Sequence, residues 1–88
     1  MKVIYYSNHN LSKIYFAGNC VPRYTPGRLQ LALVGQERSM TISGDDFIIK
    51  KIYDNLLIGV EKNVLEFLLS KMPDKALIVK LYVGGYIE

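Results

Sequence analysis

The chain holds one cysteine and one histidine. That excludes an internal disulfide and a zinc site built from this chain alone. A lone cysteine also fits a reducing compartment, so the expected location is cytoplasmic. No apolar run approaches ~18 residues, which excludes a spanning helix. The opening Met1-Lys2-Val3-Ile4-Tyr5-Tyr6 is too short an apolar stretch for a signal peptide. Residues 1 to 36 contain no acid, although Lys2, Lys13, Arg23 and Arg28 lie among them. There are no internal repeats, low-complexity tracts or linkers.

What is present describes one small domain over residues 1–88. Half the residues are hydrophobic (50%), enough for a core, and disorder is not expected. A chain of this length buries a modest share of its surface, so oligomerisation would add stability. The net charge is +3. Tyr5, Tyr6, Tyr15, Phe16 and Tyr24 are interleaved with the early bases, a combination that suits phosphates and stacked bases. The competing reading makes the tyrosines core or dimer residues and leaves the bases on a solvated face.

The elements follow from local pattern. Lys2 to Ser7 is β-branched and aromatic and reads as a strand, ended by Ser7-Asn8-His9-Asn10. Leu11 to Phe16 reads as a second strand. Tyr24 to Gly35 stays open. Leu29, Leu31 and Leu33 alternate as in a strand, yet Thr25, Pro26 and Gly35 stand where a short helix takes its N-cap, first residue and stop. Residues 42 to 58 carry the clearest signal, an amphipathic helix, with a β-meander turning at Asp54-Asn55 as the alternative that the high Ile content leaves open. Ser43 and Asp46 form an S-x-x-D start, Ile42 and Phe47 a hydrophobic staple, and Gly59 the stop. Residues 63–71 are open between helix and strand. Met72 to Lys75 is a turn, and the alternation of Leu77, Val79, Leu81 and Val83 predicts a strand. The expected fold is α+β: a small mixed sheet, one main amphipathic helix and a C-terminal β-hairpin.

No residue pattern is a catalytic signature. His9 lies in a loop with no carboxylate or nucleophile near it in sequence, so it reads as a turn residue rather than an acid or base. Asp45-Asp46 suggests a cation pair, but helix capping accounts for both, and no metal or cofactor is expected. Gly84-Gly85 lacks the helix and Lys-Ser/Thr of a phosphate loop. Cys20 beside Pro22 reads as a small apolar group.

Three stretches carry a resemblance. They are Lys2-Val3-Ile4-Tyr5-Tyr6-Ser7-Asn8; Ile42-Ser43-Gly44-Asp45-Asp46 opening a helix; and Leu57-Ile58-Gly59-Val60-Glu61-Lys62-Asn63 followed by Asp74-Lys75-Ala76-Leu77-Ile78-Val79. Together they resemble the viral ring-nuclease family, type III anti-CRISPR proteins that cleave cyclic tetra-adenylate. The resemblance implies a homodimer that binds a cyclic nucleotide across its two-fold without metal. The family's catalytic histidine has no counterpart among Gly44, Asp45, Asp46 and Phe47, and Val64 stands where the family has an arginine. The resemblance therefore implies a non-catalytic binder that counters host defence. Its ligand-binding residues would be Asn8, Asn10, Ser43, Gly44, Asp45 and Asn63. A protein-interaction inhibitor acting on a host defence protein, and an enzyme using His9, are the rival readings.

Overall fold

The structure, a computed structural model, describes residues 13–88. The strand expected over Lys2 to Ser7, and with it Asn8, His9 and Asn10, lies outside the described residues.

The chain order is β1 (Lys13–Ile14), β2 (Cys20–Thr25), β3 (Arg28–Leu33), β4 (Ser39–Ser43), α1 (Asp46–Ile58), β5 (Val60–Glu61), α2 (Lys62–Leu69) and α3 (Leu77–Val83). This is a small α+β fold. Its described sheets are antiparallel throughout rather than mixed: a β2-β3-β4 meander and a β1-β5 pair. The C-terminal segment returns to the start of the described chain, where Tyr15 and Glu88 exchange both backbone hydrogen bonds at 2.9 Å.

Residues 24 to 35 form a hairpin, not a short helix. Thr25 pairs with Arg28 across a two-residue turn of Pro26 and Gly27. Gly27, which follows Pro26, has φ 77°, a left-handed value through which a helix does not continue and which suits the second central residue of a turn. Leu29, Leu31 and Leu33 are buried while Arg28 and Gln30 are exposed, so the alternation was the physical signal. Pro22 is tolerated because β2 is an edge strand among the described residues. The register of Thr25 and Arg28 turns the Pro22 nitrogen away from β3, where no ladder bond is lost.

α1 is the expected amphipathic helix. It buries Ile49, Ile52 and Leu56 and ends at Gly59, whose φ is 99° and whose N–H reaches Asn55 O. Its start is shifted: Ser43 closes β4, Asp45 takes the N-cap position, and neither residue makes a capping bond. α2 settles residues 62 to 69 as helix, with Leu65, Leu68 and Leu69 buried at helical spacing.

The expected C-terminal hairpin is replaced by α2 and α3. Leu77 and Leu81 satisfy period two and the helical i, i+4 spacing equally. The core takes only those two and leaves Val79 and Val83 58% and 81% exposed. Two local devices fix the helix. Asp74 accepts from the Ala76 N–H at 2.9 Å and pairs with Lys80. At the other end Tyr86 N–H reaches Leu81 O at 3.0 Å and Gly85 N–H reaches Tyr82 O at 3.1 Å. With Gly85 at φ 79°, this is a Schellman stop, and buried Tyr86 and Leu81 supply its apolar contact. All three described helices contribute to one core with the inner sheet face, built on Leu29, Leu31, Ile42, Ile49, Ile52, Leu56, Leu65 and Leu81.

Candidate ligand-binding face

One face of the β2-β3-β4 sheet packs on the core, and among the described residues no helix covers the other. Strand alternation sends Cys20, Pro22, Tyr24, Leu29, Leu31, Leu33, Met40 and Ile42 inward. The residues between them form three rows across the outer face: Thr25-Arg28-Ser43, Arg23-Gln30-Thr41 and Val21-Ala32-Ser39. None of these nine side chains is a carboxylate. Among the described residues neither Arg23 nor Arg28 has an ion-pair partner.

Arg23 and Arg28 are diagonal neighbours, so their backbones lie roughly 7–8 Å apart. Both guanidinium groups can reach one phosphate or two adjacent ones. Gln30, Thr25, Thr41 and Ser43 add neutral donors between and beside them. A shallow hollow of about 190 Å³ lies at the second and third rows, lined by Val21, Arg23, Gln30 and Ala32.

The described aromatics are not on this face. Arg23 and Tyr24 are adjacent in one strand and therefore point to opposite sides. Tyr24 stacks on Tyr53 with centroids 5.5 Å apart, and Phe16 is tilted against Tyr53 at 6.2 Å. The Tyr24 hydroxyl donates to Asp46 Oδ1, which also accepts from Gly27 N–H at 2.8 Å. Asp46 thus tethers the β2–β3 turn to the start of α1 instead of capping the helix. Hydrogen bonding to Asp46 pushes the Tyr24 hydroxyl up to about 12. The same hydroxyl, and then Gly27 N–H, hold the Asp46 carboxyl below its ordinary range. Half-buried Cys20 has its thiol pushed up by desolvation, which suits a packing group rather than a nucleophile.

The sequence-derived site residues separate. Ser43 stands on the open face at the end of β4. Gly44 N–H donates to Gly27 O at 3.1 Å, extending the β3-β4 ladder, so this amide already has a partner. Its missing Cβ makes room for Met72 Sδ, which a Cβ would meet at 3.0 Å. Asp45 is exposed beside it. Asn63 belongs to another hollow of about 470 Å³, shared with Glu61, Lys62 and Glu66, and its side chain accepts from Val64 N–H at 2.9 Å. The two glutamates make that hollow unfavourable for an anion. Arg23, Arg28, Gln30 and Thr41 were missed as a group. The signal was available in the alternation of Arg28-Leu29-Gln30-Leu31-Ala32-Leu33, which puts Arg28 and Gln30 on one side.

Among the described residues no cluster of three metal-binding side chains occurs, and no helix is long and apolar enough to cross a membrane. In comparisons with known proteins, no family model, curated protein or solved structure matches the chain.

Proposed function

We propose that the protein is a non-catalytic binding module whose open sheet face takes an anionic nucleotide ligand. The observation that carries this reading is the pairing of Arg23 and Arg28 on an acid-free face with Gln30, Thr41 and Ser43. Guanidinium groups recognise phosphate through paired N–H donors, and neutral donors beside them add contacts to sugar or base edges. With no described aromatic on the face, binding is through phosphates rather than base stacking. A cyclic nucleotide signal, sequestered in the cytoplasm by a viral or mobile-element protein against host defence, is the ligand that the ring-nuclease resemblance adds to this reading.

The test is titration of the purified protein with cyclic tetra-adenylate and with a short single-stranded oligoadenylate, at low and raised salt. The reading expects saturable binding whose log–log salt slope is about −1.4, for two phosphates at about −0.7 each. Arg23→Ala and Arg28→Ala should each weaken it about tenfold. Absence of binding at low salt, or binding indifferent to both substitutions, rejects it. Cleavage of the bound nucleotide with multiple turnovers would replace the non-catalytic reading. A second reading, a protein-interaction inhibitor, is favoured by exposed Val79, Tyr82 and Val83 along the outside of α3.

A further inference from the structure

The two edges of the three-stranded sheet differ in what they offer another strand. On β2 the outward groups belong to Cys20, Pro22 and Tyr24, by the register with β3. Cys20 N–H is held by Ala17 O at 2.9 Å, and Pro22 has no N–H. That edge is blunted. On β4 the same reasoning turns the N–H and C=O groups of Ser39, Thr41 and Ser43 away from β3. The Gly44-to-Gly27 bond confirms the phase. Among the described residues none of these groups has a backbone partner. The strand contains no proline and no charge.

We propose that β4 is the interface of a homodimer, paired antiparallel with the partner's β4 about a two-fold axis at Thr41. This gives the dimer expected from the sequence a specific surface, and it stands independently of what the open face binds. The strand is self-complementary in this register. Ser39 lies opposite the partner's Ser43, Thr41 opposite the partner's Thr41, and Met40 opposite the partner's Ile42. No like charges meet in the ladder, and Thr–Thr pairs are favourable across strands. Beyond the ladder the same register sets Arg38 beside the partner's Gly44 and Glu37 opposite the partner's Asp45, so the attraction of Arg38 for that aspartate is opposed by Glu37 and the flanking charges add no net pull.

A five-residue ladder alone is small against the roughly 1,200–2,000 Å² that stable interfaces bury. Apolar surface lies next to it. A groove of about 430 Å³ runs along β4, lined in part by Met40, Val79, Val83 and Tyr86. Dimerisation would join two blunted monomers into one six-stranded sheet whose remaining edges are both β2, the strand carrying Pro22.

The test is sedimentation of the full chain from low to high micromolar concentration, with amide hydrogen exchange. The wild type is expected to shift to twice the 10.0 kDa chain mass, with the Ser39, Thr41 and Ser43 amides gaining protection in the dimer. Thr41→Lys places two lysines at the axis and keeps an exposed strand position. Thr41→Pro removes the outward N–H. Both are expected to halve the mass, with Thr41→Lys deciding the matter if Thr41→Pro fails to fold. A wild type that stays monomeric overturns the proposal. So does a dimer that both variants leave intact, or amide protection that is independent of concentration, which would mean cover by another part of the same chain.

Discussion

The two sides of the β2-β3-β4 sheet come from alternate residues of the same three strands, yet they answer to different physics. On the packed side Leu29 and Leu31 are fully buried, and their identity is dictated by volume and contact. On the open side Arg23, Arg28 and Gln30 are exposed, and they take no part in the described core. A protein that needed only a solvated face would interleave acids with bases to balance the field. This face has two bases and no acid, which is why it draws the functional reading rather than the better-filled side.

The sharpest contrast is in stability. Leu31→Ala should cost about 2–5 kcal/mol, since a fully buried leucine leaves a cavity as well as losing transfer energy. Chemical denaturation should show the midpoint falling with an unchanged slope. A loss under 1 kcal/mol would mean that the packed side is looser than the structure shows.

Glycines give the next step down. A Cβ on Gly59 would stand 2.6 Å from the Tyr15 ring, whereas at Gly35 in the β3–β4 turn nothing lies within 4 Å. Both have positive φ, 99° and 82°. Gly59→Ala should cost about 1–3 kcal/mol more than Gly35→Ala, which pays the backbone conformation alone. Equal costs would break the distinction between packed and open sides.

The Asp46 tether lies at the margin between the two sides and should show in the pH profile. Asp46 is held below 3.8 by the Tyr24 hydroxyl and Gly27 N–H. The native state therefore keeps the carboxylate to lower pH than the unfolded chain does. Its contribution is complete above about pH 3.8 and is lost as pH falls through the folded value. Tyr24 moves the other way, from 10.0 to about 12, chiefly through its bond to Asp46. Its contribution is complete below about pH 10 and is lost as pH rises through about 12. Melting temperatures of the wild type should decline at both limits, and Asp46→Asn should flatten both. Identical profiles would show that the tether is not formed in solution.

The smallest stability effect belongs to the open side. Arg23→Ala and Arg28→Ala should change stability by no more than about 0.5 kcal/mol, as expected for exposed residues without packing. A larger loss would make the arginines structural and weaken their assignment to a ligand.

Parts of this arrangement were readable from the residues, and the misreadings have specific causes. The α+β class and α1 followed from the 3.6 period between Ile48 and Leu57 and from Gly59. Ser43 looked like a cap because it precedes Asp46 by three. The structure instead lets β4 run through Ser43 and draws Asp46 to Tyr24, a partner 22 residues away that no local pattern names. Residues 77 to 83 misled because Leu77 and Leu81 fit both periods. Gly84-Gly85 followed by an apolar Tyr86 was the discriminating clue, since that order suits a Schellman stop and not a strand end. For the open face, the hairpin at Pro26-Gly27 had to be recognised before Arg23 and Arg28 could be placed side by side. The acid-free stretch before Glu37 was legible, but its gathering onto one surface required the register.

The most direct test of the central claim is a residue-resolved titration of the isotopically labelled protein with cyclic tetra-adenylate, following backbone and arginine side-chain resonances. The account predicts saturable shifts confined to Arg23, Thr25, Arg28, Gln30, Thr41 and Ser43, with the α2 hollow around Asn63 silent. Shifts centred on Glu61, Asn63 and Glu66, or no shift at any residue of the open face, would contradict it.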